Sequence, residues 1–345
     1  MKFTSFAPAR ATTVFDTFWR FAAERQEVFF RRFSGRAPPW THDSILQRFK
    51  FTNAYRVSDR VSQYLIRNVI YGGDTFAPKD IFFRVVMFKL FNKIETWERF
   101  KQKLGEPNWG TYRYTDYNRV LTDAMRKSER IYSSAYIMAS GKEMFGSARK
   151  HQNHLRLVEM MMKEDVPDKL ADTRSMRAGF ELLRSYPLIG DFLGYQLITD
   201  LNYSEITNYS EMEFVVPGPG ARDGIQKCFG SLGGLSEADI IKVVADRQHD
   251  EFRKRQIKFK SLWGRPLQLI DVQNLFCEVD KYARVKHPSV MGISGRTRIK
   301  QRFAPTSQSI DYFFPPKWNL LTRPVNRKSE VPMQQVLALG EDNGT

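Results

Sequence analysis

Cysteine, histidine and long apolar runs are all scarce in this chain. Its 345 residues hold two cysteines, Cys228 and Cys277, too few for a disulfide framework or a four-thiolate iron–sulfur cluster. The five histidines are scattered; His151 and His154 stand three apart on an expected helix, but the sequence places no third ligand beside them. A surface helix is therefore expected there, and no metal site is assigned. No Gly-x-x-x-x-Gly-Lys-Ser/Thr run occurs, because Gly141-Lys142 lacks both the upstream glycine and the hydroxyl. These residues thus carry no phosphate loop. A Gly-x-Ser-x-Gly nucleophile elbow is missing too. The most apolar run, IFFRVVMFKLF at 81–91, is too short to span a bilayer and carries Arg84 and Lys89. The start, MKFTSFAPAR, has no apolar core for a signal peptide. The expectation is a soluble, cytoplasmic protein with no cofactor, no membrane and no required protein partner.

Acidic residues are also in deficit. Lysine and arginine number 54 against 38 aspartates and glutamates, a formal net charge of +16. That excess favours an anionic polymer as partner, nucleic acid above all. A hydrophobic fraction of 42% supports a sizeable core. Helical periodicity dominates. Residues 11–33 place Val14, Phe15, Phe18, Trp19 and Ala22 on one face. A helix over 56–71 turns Val57, Val61, Leu65 and Val69 inward. Further helices are expected at 78–91, 94–104, 116–139, 149–164, 173–185, 191–201, 221–229, 236–255 and 266–285. Strand-like alternation is rare; RTRIKQRF at 296–303 reads as an exposed basic arm. From Pro315 onward the proline-rich, polar sequence reads as a loosely held tail. The fold class is mainly α, divided into an N-terminal helical extension (1–50), a main helical domain (51–290), and a basic arm with its tail (291–345).

One stretch asks for more than core packing: SYPLIGDFLGYQLITDL at 185–201. Two glycines four apart, one at a turn and one inside a helix, are costly unless something needs them. A tight helix–helix turn is the plain reading. The other is a hairpin that grips a DNA phosphate with the backbone amides starting the next helix. Pro187, Ile189 and Gly190 then form the hairpin, and Gly194 allows a close helix crossing. This stretch resembles the hairpin of the helix-hairpin-helix DNA glycosylase superfamily, with Leu188 in place of that pattern's first glycine. FTNAYRVSDRVSQYLIRNVIY at 51–71, FKLFNKIETWERF at 88–100, FVVPGPGARDGIQKCFG at 214–230 and QNLFCEVDKYARVKHP at 273–288 resemble one branch of it, over roughly 45 to 290. That branch comprises the alpha-glutamyl/putrescinyl thymine pyrophosphorylases and the helical domain of 5-hydroxymethyluridine DNA kinases.

The resemblance implies a two-lobed helical fold and double-stranded DNA with modified bases as substrate. Where bifunctional glycosylases carry a lysine this chain has Phe192, so a monofunctional N-glycosylase that flips out and excises a hydroxymethylated or glucosylated base is implied, as in defence against phage. The alternative is a transferase or pyrophosphorylase that builds a larger group on 5-hydroxymethyluracil. The superfamily's catalytic acid falls near Glu211 and Glu213. Glu213 is preferred because it precedes Phe214-Val215-Val216, where burial raises a carboxyl pKa. Asp280 is the second candidate. Arg56, Arg60 and Arg67 form a stripe suited to phosphates. Asn53, Tyr55, Arg56, Asp59 and Gln63 are candidates for reading or stacking on the extruded base. The resemblance puts Asn92 and Lys93 where a wedge fills the hole that base leaves. Gly218 and Gly220, in a second glycine-rich turn entering a helix, and Lys281 are further DNA-contact candidates, and the run Arg253, Lys254, Arg255, Lys258 and Lys260 is expected to track a backbone.

Overall fold

The structure is a computed structural model that describes residues 9–134, 138–304 and 311–320. It is mainly α, as expected: fifteen α-helices and one two-stranded sheet among the described residues. The helices are α1 (Thr13–Phe33), α2 (Ser44–Arg48), α3 (Arg60–Tyr64), α4 (Pro78–Phe91), α5 (Ile94–Leu104), α6 (Tyr114–Arg126), α7 (Lys142–Phe145), α8 (Lys150–Lys163), α9 (Val166–Ala171), α10 (Met176–Arg184), α11 (Asp191–Leu201), α12 (Pro219–Cys228), α13 (Glu237–Asp246), α14 (Gln248–Lys254) and α15 (Leu269–Lys286). The strands β1 (Arg10–Ala11) and β2 (Phe229–Ser231) pair antiparallel and tie the start of α1 to the end of α12.

The helices pack in two groups. In one, α4 lies against α8, α9 and α11, with α10 on α11 and α5 and α6 alongside. In the other, α15 is clasped by α12, α1 and α13. A single continuous apolar core runs through both, from Phe18 and Trp19 on α1 to Phe83 on α4 and Phe276 on α15. The closest helix contact is α12 on α15. A Cβ on Gly224 would stand 1.9 Å from the Phe276 carbonyl oxygen, so only glycine lets the two backbones meet.

Three expected elements differ. The helix at 56–71 is a 3₁₀ turn (Arg56–Ser58), α3, and a π-helical turn (Leu65–Ile70); its valines still point inward. The helix begun near 116 stops at Arg126 instead of 139, where Ser128 takes a left-handed φ of 58°. The helix at 236–255 breaks at Arg247 into α13 and α14. The tail is docked where it is described: Phe314 is buried, and Lys317 donates to the carbonyls of Ser204 and Thr207 at 2.7 and 2.6 Å. Residues 321–345 lie outside the described residues. His151 and His154 are core residues, not surface ones; they bond Asn118 and Ala139, and burial lowers both imidazoles to about 4. Among the described residues no group of three His, Cys, Asp or Glu side chains could hold a metal, and no helix is long and apolar enough to cross a membrane.

Candidate nucleic-acid interface

Residues 185–190 form a tight turn between α10 and α11. Leu188 occupies the position of the pattern's missing glycine and accepts its geometry, with φ of 66°. Its side chain packs near Gly141 and Asn153, an anchorage that offsets the cost of a left-handed leucine. Ile189 is buried, whereas Gly190 is exposed with nothing within 4 Å of where a Cβ would stand. Gly190 starts α11 without a side-chain cap, so the positive end of the helix opens toward solvent. Asp191 on the first turn is paired with Arg184. Gly194 works as the sequence suggested: a Cβ there would lie 3.2 Å from the Phe180 ring, at the crossing of α10 and α11. Pro187 is half-buried at the turn.

The second glycine turn lies alongside, but it is covered. A Cβ on Gly218 would meet the Phe192 ring at 2.9 Å. Phe192 therefore caps the start of α12 instead of leaving it open to a phosphate. Gly220 faces the Cys277 sulfur, and its role is helix packing. Sequence reasoning missed Gln273, whose amide nitrogen would lie 3.5 Å from a Cβ at Gly218. Gln273 is 2% exposed, and its Oε1 has no hydrogen-bond partner among the described residues. Nothing in the sequence around it marks that amide from an ordinary surface glutamine.

The residues assigned to a base pocket are instead saturated by the protein. Asn53 accepts from Arg25 at 2.9 Å and donates to the Ser58 carbonyl at 2.8 Å. Tyr55 is fully buried and donates to the Arg265 carbonyl at 2.6 Å. Gln63 donates to the Val57 carbonyl and accepts from the Phe313 amide, both at 2.7 Å. Arg56 is buried and meets Asp200 at 2.6 Å, Gln196 at 3.2 Å and Tyr203 at 2.9 Å. Lys89 reaches the other Asp200 oxygen at 2.7 Å. Asp59 accepts from the Asn53 amide and is pushed up to about 7 by burial, with Glu278 adding to the shift. Arg60 is exposed and Arg67 pairs with Asp311. The wedge assignment also fails on geometry: Asn92 is 7% exposed and ends α4 in a left-handed conformation, and Lys93 pairs with Glu95 at 3.2 Å. Of the basic run, Arg255 is drawn into pairs with Asp16 and Glu251, while Arg253 and Lys254 are exposed.

The acids separate in an unexpected way. Glu213 is exposed on the turn before Phe214. Glu211 is the buried one; it accepts from Arg265 at 2.7 Å, and burial outweighs that cation to raise its carboxyl. Asp280 is locked between Lys227, at 2.9 Å, and Arg284, with both carboxylate oxygens engaged, and Lys281 pairs with Glu278 at 2.6 Å. The Lys227 pair braces α12 against α15, and the other two lie along α15 itself. Asp271 caps α15 and accepts the Arg56 amide at 2.8 Å. Burial, aided by Glu211, pushes it up to about 7. An acid raised by folding contributes stability that is complete below its unfolded value and is lost as pH climbs through its folded one. Asp271→Asn should therefore flatten the fall in stability between about pH 5 and 8 by roughly 3 kcal/mol, read as the pH slope of urea unfolding free energies. An unaltered slope would mean that Asp271 titrates normally.

The site is thus an exposed, uncapped helix start between two helices, on a strongly basic, mainly helical chain. The pattern of the family described as "5-hmdU DNA kinase, helical domain" matches residues 12–292, and the chain belongs to that family. One relative, the 5-hmdU DNA kinase of Bacillus phage SP10, is 25% identical over 298 residues, which is 80% of this chain and 46% of the relative. The chain thus spans about half the length of that relative. No solved structure gives a significant match. The monofunctional glycosylase expected from the hairpin is overturned here: the named relative is a kinase, a transferase and not a hydrolase.

Proposed function

We propose that this chain acts on DNA carrying 5-hydroxymethyluracil and takes part in building a larger group on that base. Membership of the family of 5-hmdU DNA kinase helical domains is the observation that carries the reading. The charge of +16 and the open turn at Gly190 support duplex DNA as the polymer held. Because the 345 residues hold no phosphate loop, the step assigned to them is not P-loop phosphoryl transfer. The transferase reading fits better: an amine nitrogen bonds to the base's methylene carbon as the C–O bond of an activated ester there breaks, the oxyanion leaves with the bonding pair, and the amine's surplus proton passes to a carboxylate. Glu213 is our candidate for that carboxylate; it is exposed, and its neighbour Phe214 packs on Phe180 beneath the turn, with ring centroids 5.0 Å apart.

The test uses three duplexes, bearing thymine, 5-hydroxymethyluracil or its phosphate ester, each incubated with putrescine or glutamate. The nucleosides are then released and weighed. Expected are preferential binding to the hydroxymethylated duplexes and an amine-substituted base still joined to its sugar from the ester. Equal binding to all three with every base unchanged would overturn the reading, leaving a DNA-binding module without chemistry. Free base with abasic sites would overturn it in favour of hydrolysis.

A further inference from the structure

The segment after α15 is built in an alternating fashion. His287 bonds Thr17 at 2.8 Å. Val290 packs on the core, and its amide closes a turn on the His287 carbonyl at 3.0 Å. Gly292 lies against Asp223, where a Cβ would come within 3.0 Å of the carboxylate. Ser294 donates both its amide, at 2.7 Å, and its hydroxyl to Asp223, which is itself 2% exposed. A second turn closes from the Gly295 amide to the Gly292 carbonyl at 3.1 Å. Between these inward anchors the chain turns two large apolar side chains outward: Met291 is 51% exposed and Ile293 is 68% exposed.

A loop fixed at 287, 290, 292 and 294 is not slack, so the exposure of 291 and 293 is imposed by its anchors. Isolated exposed apolar residues are ordinary, but two on one pinned loop mark a contact surface. Their surroundings say what the contact is. Arg222 precedes Asp223, and Arg296 and Arg298 follow the loop; all three are exposed, and none makes an ion pair among the described residues. Asp223 lies on the same helix as Gly218, about 7.5 Å along its axis. Gly218, the cap of that helix, touches Phe192 on the first turn of α11, so α12 links the loop's anchor to the element that starts at Gly190. Exposed apolar side chains on a loop followed by exposed arginines suit the stacked interior of a duplex beside its phosphate rows. Proteins that kink DNA insert methionine or isoleucine between base steps in this way.

We infer that Met291 and Ile293 form a wedge that enters the DNA stack and holds the helix open beside the target base. The inference rests on the reading of duplex DNA as substrate. It moves the wedge from Asn92, which the end of α4 keeps buried, to the loop held by Asp223.

The experiment compares the wild-type chain with Met291→Ser/Ile293→Ser on a duplex that carries 2-aminopurine next to 5-hydroxymethyluracil. Binding is followed by anisotropy, and unstacking by 2-aminopurine fluorescence at saturating protein in low salt, where phosphate contacts hold the complex. Both side chains are exposed, so an unchanged thermal midpoint is expected and checks the fold. The wild type should raise the fluorescence several-fold; the double variant should still bind but give almost no rise, and Met291→Leu/Ile293→Leu should restore it. A full rise with the serine variant would overturn the wedge while leaving the DNA reading intact. No binding of any duplex by the wild type would instead remove that reading, and the wedge with it.

Discussion

Asp200→Ala is expected to unfold this protein or lower its thermal midpoint on the order of 10 °C, a larger loss than any surface change. Asp200 is 1% exposed and stands between two cations that are themselves buried, Arg56 at 2.6 Å and Lys89 at 2.7 Å. Burial alone would raise its carboxyl; the two cations overcome that and hold it below the usual range. Removing the carboxylate takes from both buried cations the counter-charge that lies 2.6 and 2.7 Å away, which costs about 3–5 kcal/mol in comparable buried pairs. The loss should reach beyond one helix, because the triad joins the 3₁₀ turn at Arg56, α4 at Lys89 and α11 at Asp200. Urea unfolding measures it. Replacing Arg56, Lys89 and Asp200 together by methionine, methionine and leucine should return much of the stability, since the three buried charges are then removed together. An unaltered midpoint in Asp200→Ala would mean that water reaches the three groups in solution.

That triad also shows where sequence reasoning fails. Apolar periodicity located α4, α5 and α11 to the residue, because each buries a regular stripe or is apolar nearly all round. The turn at 185–190 was legible for the same kind of reason: proline and glycine carry their geometry with them. Polar residues carry no such mark. Asn53, Tyr55, Arg56 and Gln63 look like a reading head for a base, but they are internal cross-links. A buried, satisfied amide and an exposed one are the same letter, and the partners here lie far off in the chain, as Arg265 does from Tyr55. The burial of Glu211 and Glu213 was read the wrong way round for a related reason. An acid next to an apolar run is buried only if the local turn aims it inward, and that turn aims Glu211. Asn92 belongs with them: a helix end reads the same in sequence whether it faces solvent or, as at the end of α4, is buried.

Removing the charge of the basic arm should change DNA binding more than any other surface substitution. Arg296, Arg298, Lys300 and Arg302 are exposed along residues 296–302, directly after the loop pinned by Asp223. The arm is laid in place by its backbone: the Arg284 side chain donates to the Arg298 carbonyl at 2.9 Å, and the Lys50 amide donates to the Gln301 carbonyl at 3.1 Å. Phe303 closes the run by donating its amide to the Arg48 carbonyl at 3.1 Å. Four alanines at those positions should therefore leave the course of the arm and the thermal midpoint almost unaltered. Every phosphate contact contributes about 0.9 to the slope of log affinity against log salt, so losing four flattens it by about 3.6. At about 0.1 M salt the same four contacts are worth on the order of a thousandfold in affinity. The loss should be alike for thymine and 5-hydroxymethyluracil duplexes, because phosphates carry no base identity. Titrations from low to moderate salt read all three quantities. A slope that stays the same would free the arm of any DNA contact and confine the footprint to the turn at Gly190 and its neighbours. A loss confined to the hydroxymethylated duplex would place the arm at the base rather than on the backbone.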